Sequence, residues 1–204
     1  MKDRLWLLVC PHFLGEASAV IRDAGYVGVQ VAAFPAVCIR PTANADDIYR
    51  QATSLTARGA TVAMLGGHCL IGLAPDSSAG STVRLLATSR CLEFVAPADL
   101  LDAQIADGAY LLTPGWLRRW RQHMVAWGFD QTTARLFFAE TTHRLVLLDT
   151  GVSADASMHL RGLADFLALP YQVIPVGLQR FAAHLARTLA ESNERGKLSD
   201  RTHP

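Results

Sequence analysis

An α/β architecture, in which repeated β-α units build a parallel sheet with helices on both faces, is predicted by three observations. Short apolar runs without polar alternation recur along the chain, as in strands buried on both faces. Segments with apolar residues at helical spacing follow them, and glycine or proline closes each segment. Hydrophobic residues make up 50% and charged residues 18% of the 204 residues, enough for a sizeable core and too apolar for disorder.

Arg4 to Val9 reads as the first strand, ended by Cys10 and Pro11. Phe13 to Ala24 places Leu14, Ala17, Val20 and Ile21 on one helical face, with Gly25 as the C-cap. Val27 to Phe34 is the second strand, and Pro35 and Pro41 bound a loop holding Cys38. Asn44 can cap a helix to about Arg58, and Thr61 to Leu65 forms a third strand. The loop Gly66, Gly67, His68, Cys69 follows, with a helical turn limited by Pro75 and Gly80. Val83 to Ala87 is the fourth strand, and Cys91 stands where the next helix, ending before Gly108, begins.

The alternation continues through a strand at Tyr110 to Leu112, helices from about Pro114 and Gln131, a strand at Leu145 to Leu148, a helix at Ala154 to Leu167 and a strand at Tyr171 to Ile174. A last helix aligns Leu178, Phe181, Leu185 and Leu189, after which apolar periodicity is lost. The expected organisation is one α/β domain over residues 1–191, Rossmann-like or flavodoxin-like, with room for two pseudo-repeated lobes at about 1–108 and 109–191. Residues 192–204 read as a disordered tail or a linker.

Lysine plus arginine (19) nearly cancels aspartate plus glutamate (18), leaving +1. No long-range field would concentrate nucleic acid, which is therefore not expected as a partner. No apolar run reaches the roughly 18 residues of a membrane span, and the N-terminal apolar stretch runs into Pro11 too soon for a signal peptide. A cytoplasmic location and no membrane partner follow as expectations, with thiols in preference to disulfides.

Cys10, Cys38 and Cys69 each fall just after a strand, and Cys91 falls in the loop after another. In an open parallel sheet that edge is where ligands bind. A thiol near a helix N-terminus is biased towards thiolate, the form that ligates metal, and His12 and His68 stand beside two of the cysteines. Soft ligands at one rim suit zinc or an iron–sulfur cluster. The same spacing also fits cysteines used as small buried hydrophobes. His123, His143, His159 and His184 have no cysteine neighbours and read as surface or helix-face residues.

Gly67 belongs to a glycine-rich turn that lacks the Walker lysine, so phosphate cradling is unsupported there. Thr113 is placed to cap a helix opened by Pro114, with Trp116 and Trp120 at helical spacing. Arg118, Arg119 and Arg121 read as a solvated helix face. Asp149, Thr150 and Gly151 end a buried strand, where they either close a ligand site or cap the next helix. Gly67, Thr113, Trp116, Asp149 and Thr150 are the candidate cofactor-binding residues; no catalytic serine elbow or paired carboxylate stands out.

Several of these segments, taken in order, resemble a bacterial and archaeal family, the domain of unknown function 1638. They are the strand with Cys10, the run Gly67 to Leu73, Cys91, Tyr110 to Trp116, Leu148 to Gly151, and Leu169 to Pro175, and the resemblance spans roughly Leu5 to Leu189. It implies an α/β group with three spread cysteines, here Cys10, Cys69 and Cys91, near corrinoid and methyl-transfer genes or joined to signalling modules. Pro11 and Leu70 stand where the family has glycine, and Cys38 has no counterpart.

The leading expectation is a sensory or accessory domain, not a turnover enzyme, that binds an iron–sulfur cluster, or zinc, through Cys10, Cys69 and Cys91, with His68 or His12 in support and Cys38 as an optional ligand. The alternatives are an enzyme or carrier of corrinoid or one-carbon metabolism, with Asp149, Thr150 and Thr113 positioning substrate, and a metal-free small-molecule sensor. Expected partners are a downstream signalling domain or protein, a small-molecule or redox ligand, and a second copy in a homodimer.

Overall fold

The computed structural model describes residues 5–36, 45–70 and 83–199. Its first half builds a four-stranded parallel sheet from β1 (Leu5–Val9), β2 (Val29–Ala33), β3 (Thr61–Gly66) and β4 (Val83–Ala87), in the order β2-β1-β3-β4. Leu7 of β1 lies level with Val31 on one side and Ala63 on the other. The run LWLLV is apolar throughout because β1 is central, with Leu7, Leu8 and Val9 all fully buried.

Strand order reverses between β1 and β3. With right-handed crossovers, that reversal sends α1 (Leu14–Asp23) and α2 (Ala45–Thr56) to opposite faces of the sheet. It also opens a crevice at the carboxyl ends of β1 and β3.

The second half is a separate three-stranded parallel sheet, β5 (Ala109–Leu112), β6 (Arg144–Asp149) and β7 (Tyr171–Pro175), in sequence order. The α/β class with parallel sheets flanked by helices is therefore as the sequence predicts, with the strands divided between two sheets. Residues on β6 alternate between two cores. Val146 and Leu148 join the core of the first half, whereas Leu145 and Leu147 join a second core with Leu117, Trp120, Phe138 and Leu163. Period-two alternation in a strand buried on both faces produces this division.

Several boundaries differ from the sequence reading. Cys91 opens only a 3₁₀ turn, Cys91–Phe94, and α3 (Ala98–Ala106) starts after Pro97, whose fixed φ suits the residue before a helix. The helix from Pro114 splits into α4 (Pro114–Leu117) and α5 (Trp120–Ala126). Asp130 and Thr133 form a reciprocal capping box at the head of α6 (Gln131–Ala139). Helix α7 (Ala156–Leu167) buries Ala156, Leu160, Leu163, Ala164 and Leu167, a stripe at helical spacing.

Helix α8 (Gln179–Ser199) returns to the first half and packs against α1, β3 and β4. Phe181, Leu185 and Leu189 enter the first core, and Phe181 completes an aromatic cluster with Phe13 and Phe94 at centroid distances of 5.9–6.3 Å. The backbone stays helical through Ser199, beyond the point where apolar periodicity ends and a tail without structure is expected. A helix already docked can propagate into polar sequence, because each added residue gains one ladder bond without a new nucleus.

Candidate functional site at the carboxyl edge of the first sheet

Cys10 follows β1, is 4% exposed, and its carbonyl accepts from Phe13 N–H at 2.9 Å to close the 3₁₀ turn Pro11–Phe13. After β3, Gly66 and Gly67 lead into the 3₁₀ turn His68–Leu70, closed by Leu70 N–H on the Gly67 carbonyl at 2.9 Å. A Cβ on Gly67 would stand 2.6 Å from the Cys91 nitrogen and 2.8 Å from its Cβ. Only glycine lets this turn lie against Cys91.

Cys10, Cys69 and Cys91 are therefore all at the carboxyl edge of the first sheet. Cys69 and Cys91 are half-buried and His68 is exposed. Burial pushes the Cys69 thiol up, opposed by hydrogen bonds from the main chain of Gly67 and of Cys69 itself. Among the described residues, no group of three or more His, Cys, Asp and Glu side chains is placed to hold a metal ion. Cys38 lies outside the described residues, so the donor set on view is that of three thiols spread along one rim.

His12 does not accompany the thiols. It is buried at the junction of the two halves, with its ring edge-on to His123 of α5 at a centroid distance of 5.4 Å. His123 is 2% exposed, so of the expected surface or helix-face position it takes the latter, on the buried face of α5. Its ring also packs on Trp116 at 4.7 Å and near Trp127 at 6.2 Å. His12 Nε2 and both ring nitrogens of His123 lack a hydrogen-bond partner.

Burial drives His12 down to about 3, with His123 and Arg119 adding to the effect. Burial likewise lowers His123 to about 4; Arg119 adds to this, and the main chain of Trp116 opposes it. Both imidazoles are neutral at pH 7. His143, His159 and His184 also fit that reading. His143 is exposed, His159 reaches Asp155 at 3.2 Å one turn away, and His184 is half-buried edge-on to Phe94.

The remaining candidates divide between capping and the junction. Thr113 is buried and caps α4, accepting from Trp116 N–H at 3.4 Å. Asp149 accepts from Gly151 N–H at 2.9 Å and shapes the turn after β6. Thr150, also buried, donates to Oε1 of Glu16 at 2.8 Å.

Glu16, in the first turn of α1, escaped the sequence reading. It is fully buried and its Oε2 has no hydrogen-bond partner. Burial raises its pKa, against the opposing effects of its own main chain, Thr150 and Arg118.

Two clefts flank this junction. Between them the first turn of α4 presses on the main chain of His12, where a Cβ on Gly115 would lie 2.7 Å from the His12 carbonyl carbon and collide with its oxygen. One cleft, of about 420 Å³, lies between Phe34, after β2, and Arg119 with the α5 side chains Gln122 and His123. The other, of about 260 Å³, is lined by Glu16, Arg118 and Val152 among others. Arg119 borders both. The three arginines are exposed as expected, yet they differ in what they touch. Arg118 donates to Ser153 at 3.2 Å, and Arg121 lies 4.3 Å over the Trp120 ring.

No curated protein and no solved structure matches the chain. Residues 41–185 match a protein family, a stretch that holds Cys69, Cys91, Thr113, Trp116, Asp149, Thr150 and His123 and leaves Cys10, His12 and Glu16 outside. Spanning more than half of the chain, that match identifies the protein as a member of the family described as protein of unknown function (DUF1638).

Proposed function

We propose that this protein is a sensory or accessory α/β domain that binds a small molecule in the larger cleft, between the carboxyl edge of the first sheet and α5. The observation that carries this reading is the position of that cleft. Its walls come from both halves, Ala33 and Phe34 from the first and Gln122 and His123 from the second, beside the carboxyl ends of β1 and β2. Open α/β sheets bind ligands at that edge, and a largely preformed concavity of this size suits a metabolite-sized molecule. Helix α8 leaves the second sheet to cover the first, so a change in how the halves meet would be felt along it.

The test is a thermal-shift screen of metabolite-sized compounds, followed by mapping of hits on backbone and side-chain NMR resonances. Saturable shifts clustered at Phe34, Gln51, Gln122 and His123 are expected. Hits that cluster elsewhere, or a screen with none, would refute the reading.

The thiol rim supports a second reading, in which Cys10, Cys69 and Cys91 hold an iron–sulfur cluster or zinc. What favours it is the bare Gly67, which lets the turn bearing Cys69 close on Cys91. Metal and acid-labile sulfide analysis of protein purified without air, beside Cys69→Ser, decides it. Iron and sulfide, or zinc, lost in the variant would support the site; no bound metal in either protein would end it.

A further inference from the structure

The larger cleft has a chemistry of its own, and the following assignment rests on the ligand-binding reading above. Gln122, His123 and Ala126 recur at intervals of one and three residues and so face the cleft from one side of α5, and Arg119, the residue that precedes the helix, lines the cleft beside them. Among the described residues Arg119 is the single charged residue of the lining, and no described aspartate or glutamate joins it there. It makes no ion pair among the described residues, whereas its neighbours Arg118 and Arg121 are engaged with Ser153 and Trp120.

At the floor lies His123, nine-tenths buried and more, with neither ring nitrogen in a well-formed hydrogen bond and the main chain of Trp116 giving the ring weak support. Leaving a buried imidazole poorly partnered is unfavourable, and a ligand in the cleft would supply the missing partner. The facing wall is apolar, formed by Phe34 and Pro35, with the amide of Gln51 held towards it by donation to the Ala33 carbonyl at 3.1 Å.

We propose that this cleft takes a small organic carboxylate, its carboxylate paired with Arg119 and hydrogen-bonded by His123 and Gln122, and its apolar body lying against Phe34 and Pro35. A single guanidinium and neutral donors balance one negative charge. A phosphate dianion would ask for a second cation or a nest of main-chain N–H groups. Arg119, exposed at the mouth of the cleft, supplies the charge-assisted contact, and uncharged isosteres forgo it.

The experiment titrates the full chain, isotope-labelled, with matched carboxylates and carboxamides: benzoate and benzamide, phenylacetate and phenylacetamide, hexanoate and hexanamide. Side-chain resonances of His123 and Gln122 report the cleft. The carboxylates are expected to shift them saturably, with the carboxamides at least about tenfold weaker, the ratio corresponding to one charge-assisted contact. Arg119→Gln should abolish that preference, while Arg121→Gln, whose side chain lies over Trp120, should keep it.

Carboxamides binding as well as carboxylates, or a preference that survives Arg119→Gln, would overturn the proposal. Carboxamides moving the cleft resonances while carboxylates do not would overturn the anion assignment and leave the ligand-binding reading standing. Neither series moving them would overturn both.

Discussion

Thr150 donates its hydroxyl proton to Oε1 of Glu16 at 2.8 Å, a buried bond between residues 134 positions apart that ties the end of β6 to α1. The other carboxyl oxygen of Glu16 has no partner, so this bond is what the buried carboxyl receives from the second half. Thr150→Val, which keeps the shape and removes the donor, is expected to lower stability by about 1–3 kcal/mol, measured by urea unfolding. Combining it with Glu16→Gln should cost less than the sum of the two single changes, since both act on one contact.

Acid should unfold the protein through the junction histidines. The folded values of His12 and His123, about 3 and about 4, lie below the 6.5 of an unfolded chain, so the unfolded state binds more protons between these limits. Stability is therefore full above pH 6.5 and is lost as pH falls towards 4. Glu16 acts with the opposite sign. Its folded pKa is raised above 4.5, so its share of stability is full below that value and declines as pH rises through the folded one. Urea midpoints taken between pH 4 and pH 8 should show a smaller loss at the acid end in His12→Gln, while Glu16→Gln should remove the opposing decline that the carboxyl causes as pH rises.

At Gly115 the second half lies against the main chain of the first. Gly115→Ala forces a methyl group into the His12 carbonyl, a main-chain atom that cannot swing away. A loss of about 3 kcal/mol is expected, with displaced His12 and His123 ring resonances in whatever folds. A native-like midpoint would show that the first turn of α4 does not sit on His12.

Thiol alkylation should separate the cysteines. Cys10 is buried and should resist iodoacetamide until the protein unfolds, while half-buried Cys69 should react more slowly than an ordinary exposed thiol because burial keeps it protonated. Gly67→Ala, which drives a methyl into Cys91, should speed labelling at Cys91, read residue by residue by mass spectrometry.

Ala168, which caps α7 in the left-handed region at φ 57°, is the one non-glycine residue with positive φ among the described residues. Ala168→Gly should raise stability by about 0.5–1 kcal/mol, visible as a higher melting temperature.

The elements of the fold were legible because strands such as Leu5–Val9 and Val83–Ala87 are bounded by residues that end them for local reasons. The division into two sheets was not, because both halves repeat the same β-α grammar and pairing partners leave no mark in periodicity. The carboxyl edge was legible from where the cysteines follow strands. The junction was hidden. His123 is packed by Trp116 and Trp127 close by in sequence and by His12 more than a hundred residues earlier; the two tryptophans were the local signal, and the contact from His12 left none. Glu16 was concealed for a related reason: a carboxylate on an amphipathic helix ordinarily faces water, and only its partner on β6 explains its burial.

Because β6 gives alternate side chains to two cores while α8 crosses back to the first sheet, neither half carries a complete interior. Severed near Gly108, the amino-terminal piece would expose the seat of Phe181, Leu185 and Leu189. The carboxyl-terminal piece would expose Val146 and Leu148. Two such fragments made together would re-form the whole by complementation, and each alone would be insoluble. The two halves therefore fold and unfold as a unit, and a ligand bound in the cleft as proposed would act on both at once.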